Sequence, residues 1–150
     1  MILKSDGFIK MFNNTNVPKQ INTITLTKKI SHTAFELSLH ELGFYQIIVP
    51  ANTSFAIKDF QDLILAEKEL GGIKTPTLVI AHESAMVESN VFKNISNNVS
   101  NPYSTADAFV IKSIAQRILG NFYLKVSRPE RPTRFFNDKE EAITWLKNYL

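Results

Sequence analysis

The spacing of apolar residues switches between strand-like and helix-like periods along this chain, and each switch marks a predicted element. Ala34, Phe35, Leu37 and Leu39 suit a strand, Glu41-Leu42-Gly43 suits a turn, and Phe44 to Val49 is a second apolar run, so the stretch from Thr33 reads as a β-hairpin. Pro50 to Ser54 breaks the run. Ile57, Phe60, Leu63, Ile64 and Leu70 then recur at helical spacing until Gly71-Gly72 offers a left-handed stop. Thr77 to Ala81 is β-branched, with polar residues only at its ends, as expected of a strand buried on both faces in the middle of a sheet. Val91, Phe92, Ile95 and Val99 predict a weaker helix ending in an asparagine-rich stretch before Pro102, and Ala106 to Ile111 repeats the buried-strand pattern.

Ser113 followed three residues later by Gln116 is a capping-box arrangement, and Ile114, Ala115, Ile118, Leu119, Phe122 and Val126 form an apolar stripe expected to face the core. Pro129 and Pro132 end that helix. Thr133 to Phe136 reads as a brief strand, and Asn137 with Glu140 opens a last helix carrying Ala142, Trp145, Leu146 and Tyr149 on one side. The order β-β-α-β-α-β-α-β-α predicts an α/β fold, with an antiparallel hairpin joined to parallel strands in one mixed sheet packed by helices. Residues 1–31 fit this order least. Asp6-Gly7 and Asn13 to Asn16 look like turns, and Ile21 to Thr27 is β-rich without a clear buried face, suiting an edge strand or arm. The reading is an N-terminal extension over 1–31 with one or two short extra strands, dispensable for folding, and a domain over 32–150.

Composition adds bounds. The chain's 150 residues fit one domain, and 44% apolar with 21% charged residues is the balance of a packed globular protein. No cysteine is present, which removes disulfides, thiolate metal sites and cysteine nucleophiles. Lys4, Asp6 and Lys10 interrupt the apolar start, and no segment reaches the roughly 20 apolar residues of a membrane span, so a cytoplasmic location without membrane insertion is expected. An excess of 17 basic over 14 acidic side chains is too small to argue for nucleic acid.

Thr77 to Val91 contains a buried strand, an acidic loop and Glu88-Ser89-Asn90-Val91, and this stretch resembles the STAS signature, in which Asp-Ser-Ser/Thr-Gly opens a helix. Ala106-Asp107-Ala108, Ala115-Gln116-Arg117, Asn121 to Lys125, Arg128-Pro129, Pro132-Thr133, Phe135-Phe136-Asn137 and Trp145-Leu146 are similar to the small bacterial SpoIIAA-like proteins, also described as STAS/SEC14-like. The resemblance covers roughly residues 33 to 150. It implies a STAS fold and the role of an anti-sigma-factor antagonist, a non-enzymatic regulatory module that binds a protein partner such as a regulatory kinase or anti-sigma-like factor. It also places the partner-facing surface at the edge of the second helix, with Glu83, Ser84, Glu88, Ser89 and Asn90. In signalling members a hydroxyl at the position of Asn90 is phosphorylated, and Val91 replaces the glycine that follows. Asparagine has no hydroxyl, so the resemblance implies a module without the usual phosphoswitch unless Ser84 or Ser89 serves.

Other candidate chemistry is sparse. His32, His40 and His82 lack a partner at metal-site or triad spacing, and no phosphate-binding glycine motif occurs, so no catalytic residue, metal ligand or cofactor is expected. Lys125, Arg128, Arg131 and Arg134, with Lys112 and Arg117 nearby, form the densest basic cluster. It reads as a solvated loop pairing with Asp138, Glu140 and Glu141; the alternative is an anion site serving a small-ligand or lipid-binding domain. Phe122, Tyr123, Phe135, Phe136 and Trp145 read as core, or in that alternative as a pocket lining. The partner's identity and a homodimer both stay open.

Overall fold

The structure is a computed structural model of the chain and describes residues 4–6 and 28–150. The turns expected at Gly7 and at Asn13 to Asn16, and the strand or arm at Ile21 to Thr27, lie outside the described residues.

A seven-stranded sheet has the order β1 (Lys4–Asp6), β2 (Lys29–Ser31), β3 (Glu36–Leu39), β4 (Tyr45–Val49), β6 (Thr75–Ala81), β8 (Ser104–Val110) and β9 (Thr133–Phe136). The first four are antiparallel neighbours, and β4, β6, β8 and β9 run parallel, so the mixed sheet is the one the pattern predicted. A two-stranded parallel ribbon, β5 (Ser54–Phe55) with β7 (Met86–Val87), ties the loop after β4 to the loop after β6. In the β3-β4 hairpin His40 N donates to Phe44 O and Gly43 N to His40 O, both at 2.8 Å, with Gly43 at φ 95, a conformation that costs glycine little.

The sheet runs across the boundary drawn at residue 31. Lys29 to Ser31 pairs with Glu36 to Ser38, and Ile30 is fully buried, so one of the short strands expected in this segment is part of the sheet and the core.

Register sets two faces. Ile47, Val79, Phe109 and Phe135 lie in one row, with Tyr45, Thr77, Asp107 and Thr133 in the row before it, and this face is covered by α1 (Ile57–Glu69), α2 (Phe92–Ser96) and α3 (Ile114–Phe122). The opposite face, with Leu78, Ala106, Ala108, Val110 and Phe136, packs on α4 (Lys139–Leu146) through Ala142, Ile143 and Leu146.

Three local expectations change. The helix expected from Val91 to Val99 is a single 3-10 turn, Ser89–Val91, followed by the short α2. Asn97 ends it: its Nδ2 donates to Lys93 O at 2.7 Å and its Oδ1 accepts from Ser100 N at 2.7 Å, so a side chain replaces the next helical bonds and Val99 is left exposed. α4 is capped by Asp138, whose Oδ1 accepts from Glu140 N and Glu141 N, and not by Asn137. In α3 the Ser113–Gln116 capping box forms as expected, and the helix winds on as a π-helical turn, Tyr123–Ser127, closed by Arg128 at φ 46 before Pro129. The face α3 buries is the third change, and it bears on function.

Candidate functional site

Gln116, Gly120 and Tyr123 are the buried side of α3 and its π-helical turn. Gly120 allows close packing: a methyl group built on it would stand 2.8 Å from the ring of Phe135 on β9. Because the helix is held down along that line, the expected core stripe points outward. Ile114 is 81% exposed, Ile118 65%, Phe122 49% and Val126 60%. They are spaced by four and so form one apolar row along the surface. Lys112, Arg117, Lys125 and Arg128 are exposed along the same stretch, which has no acidic residue between positions 111 and 129.

The start of α3 is fastened to the carboxyl edge of the sheet. Gln116 Nε2 donates to His82 O at 2.7 Å and to Ala85 O at 2.8 Å, while its Oε1 accepts from Lys112 N and Ser113 N. Thus Glu83 and Ser84, between the two bonded carbonyls, lie beside the first turn of α3, whereas Glu88 turns toward β5, its N donating to Phe55 O at 2.9 Å and its Oε1 accepting from Ser54 Oγ at 3.4 Å. Glu83, Ser84, Glu88, Ser89 and Asn90 are all exposed. Only Ser89 and Asn90 belong to the turn that opens α2; Glu83 and Ser84 sit in the loop after β6. Ser84 Oγ is engaged, accepting from Asn52 N at 2.8 Å and lying 2.8 Å from His82 Nδ1. No acidic group joins that Ser–His contact among the described hydrogen bonds, and Ser84 N also donates to the same His82 Nδ1, which is turn geometry.

The basic cluster divides. Arg131 is buried: its Nε donates to Asp107 Oδ2 at 2.8 Å, its Nη1 to Asn98 Oδ1 at 3.1 Å, and its Nη2 to Ile95 O. It therefore leaves the proposed anion surface, because a guanidinium this far inside is needed to neutralise Asp107. Lys125, Arg128 and Arg134 stay exposed, and Arg134 lies over the ring of Phe136 at 5.1 Å. The pairing expected with Asp138, Glu140 and Glu141 is not found among the described residues.

Asp107 sits within a buried polar layer. Ser104 Oγ donates to its Oδ1 at 2.5 Å, and Glu67 of α1 and Thr77 of β6 lie close by on the same face. Burial raises the Asp107 carboxyl, opposed by Arg131 and Ser104. Burial and the charge of Asp107 push Glu67 up to about 8, with Arg131 opposing. Burial likewise pushes the Tyr123 hydroxyl up.

Beside this layer are two apolar cavities. One, of about 80 Å³, lies at the carboxyl ends of β6 and β8 beneath α3; the other, of about 60 Å³, lies under α1 and reaches Thr77 and Asp107. Of the aromatic residues considered as a lining, Tyr123 and Phe135 do line the first, whereas Phe122 is exposed and Phe136 and Trp145 pack against each other at a tilt on the opposite face.

Spacing could not reveal which side of α3 is outward. The available signal was Gly120, since a glycine inside a helix costs about 1 kcal/mol against alanine and calls for a packing reason. Among the described residues no three His, Asp or Glu side chains are grouped to hold a metal, and no helix is long and apolar enough to cross a membrane.

A solved structure from Shewanella loihica PV-4, an uncharacterised protein of the DUF3478 family with a SpoIIAA-like fold, is similar to this chain with a TM-score of 0.51 and 16% identity, covering 75% of this chain and 92% of that one. This likeness shows the SpoIIAA-like fold. No curated protein matches the chain in sequence. Residues 39–150 match the family described as Domain of unknown function (DUF7793), and the chain belongs to that family.

Proposed function

We propose that this chain is a non-enzymatic regulatory module that binds an acidic amphipathic helix of a partner protein along the outer face of α3, beside the loop from Glu83 to Asn90. The observation that carries the reading is the apolar row Ile114, Ile118, Phe122 and Val126, outward-facing on a helix whose other side is packed. An apolar helical row recognises another helix through apolar residues at matching spacing. Charge selects among such partners. Lys112, Arg117, Lys125 and Arg128 border the row without an acidic neighbour in the same stretch, which favours carboxylates on the incoming segment. Glu83, between the two carbonyls that Gln116 binds at the head of α3, would fix its direction. Asn90, at the position matched to the phosphoacceptor of STAS signalling proteins, makes the binding constitutive in this reading.

The test replaces Ile118 by a photo-crosslinking benzoylphenylalanine in the source cell, with Thr144 on α4 as the control position, and sequences the crosslinked peptides. The expected product is a segment of another protein with apolar residues three and four apart and acidic residues between them, its yield falling in Arg117→Glu and Lys125→Glu backgrounds. A crosslink to this chain's own sequence, to a phospholipid, or none above the control overturns the reading.

A further inference from the structure

The two cavities lie end to end along the strands. Ala81 and Ile111 border the first, Thr77 and Asp107 border the second, and Val79 and Phe109 between them belong to both, as do Val87 and Ile95 from above. Four residues along β6, from Ala81 to Thr77, span roughly 13 Å at the usual strand rise. The walls are apolar almost throughout. Yet three polar atoms sealed from solvent in this region have no hydrogen-bond partner among the described residues: Glu67 Oε2, Thr77 Oγ1 and the Tyr123 hydroxyl. All three residues line the cavities, Glu67 and Thr77 the inner one and Tyr123 the outer one. Leaving such a group unpaired costs free energy, and buried polar groups in folded proteins nearly always find partners.

We propose that these cavities form a binding site for a slender apolar molecule carrying one neutral hydroxyl, of the straight-chain alcohol class, with its chain along Val79 and Phe109 and its hydroxyl at Thr77 and Glu67. Neutrality follows from the surroundings. An anionic head would stand beside Asp107, and a cationic head beside Arg131, and these two are already paired with each other at 2.8 Å. A hydroxyl both donates and accepts, and so satisfies Thr77 and Glu67 without a charge being buried. The site lies inside the domain and is separate from the outer row on α3, so either proposal can fail without the other.

Calorimetric and amide-NMR titrations of the full chain with 1-octanol, octanoate and octylamine test this. The expected result is saturable binding of 1-octanol, with shifts at Val79 and Phe109, and weaker binding of the two charged probes. Thr77→Val and Tyr123→Phe remove unpartnered hydroxyls, so each variant should be at least as stable as the parent. Thr77→Val should weaken 1-octanol about tenfold, the worth of one hydrogen bond, and Tyr123→Phe by less. Val87→Phe should fill the shared wall and abolish binding; if it does not fold, the two hydroxyl variants still decide. Failure of all three probes to bind, tighter binding of octanoate or octylamine, or unchanged 1-octanol affinity in Thr77→Val overturns the proposal.

Discussion

The ring of Phe135 lies against Gly120 so closely that the Cβ of any larger residue there would come within 2.8 Å of Cε1. This contact sets how α3 is rolled, and so which residues of the helix reach solvent. Gly120→Ala gains helix propensity of about 1 kcal/mol but overpacks the contact, at a cost of about 1–3 kcal/mol. A net loss of roughly 1 kcal/mol in urea unfolding is expected, and Gly120→Ala with Phe135→Leu should recover it. A Gly120→Ala variant more stable than the parent would mean that the ring moves freely.

Arg131 and Asp107 are each almost fully buried and meet in one ion pair. Removing a single partner strands the other charge. Arg131→Met should therefore cost about 3–5 kcal/mol of unfolding free energy, whereas Arg131→Met with Asp107→Asn should recover a large part of that loss. Additive losses in the double variant would show that the two charges do not depend on each other.

The order of strands and helices was legible because buried runs such as Thr77 to Ala81 and amphipathic ones such as Ile57 to Leu70 differ in period. Two tertiary facts were not. Ile114, Ile118, Phe122 and Val126 have the spacing of a core stripe, and only the neighbouring strand, through Phe135, shows that the opposite side is the packed one. Arg131 has the composition of an exposed loop, and its burial follows from Asp107, twenty-four residues earlier in the chain, for which the sequence offers no pairing signal. Glu83 and Ser84, expected at the edge of the second helix, lie instead in the loop that follows the central strand β6, and that loop's tie to α3 depends on Gln116, which the capping box alone accounts for in sequence.

Glu67 links pH to stability. Its carboxyl is raised from 4.5 to about 8 in the folded protein, so the native state keeps a proton that the unfolded chain releases. The stability this contributes is full below the unfolded value, declines as pH rises, and is lost once pH passes the folded value, a change on the order of a few kcal/mol. Denaturation midpoints should fall between about pH 5 and pH 9, and Glu67→Gln should flatten that fall and be the more stable protein at the upper end. An equal pH slope in the variant would remove Glu67 as its cause.

Asn90 stands where the resemblance to STAS signalling proteins implies a phosphoacceptor, and Ser84 and Ser89 are the hydroxyls that could substitute for it. Ser84 Oγ is already bound by Asn52 N and His82, and a phosphate there would add about −1.5 to −2 charges next to Glu83. Protein isolated from its native cell should carry no stoichiometric phosphoserine by intact mass. A phosphate mapped to either serine in most molecules would restore a phosphoswitch and contradict constitutive binding.

Gln116 holds the two halves of the proposed docking surface together, since its amide meets two carbonyls of the loop after β6 and two N–H groups at the start of α3. Gln116→Leu has a similar volume but leaves those buried groups unpaired, and with partial recovery by rearrangement the cost should be about 2–4 kcal/mol. Gln116→Glu separates the two ends of the amide. It keeps the acceptor for Lys112 N and Ser113 N but turns the donor into an oxygen facing His82 O and Ala85 O, so amide exchange should stay slow at Lys112 and Ser113 while Ala85 and Met86 lose protection. Lowering the pH should restore part of it, because a protonated carboxyl can donate to one of the two carbonyls. If both variants exchange like the parent, the loop is held by the β5-β7 ribbon instead, and the surface does not depend on Gln116.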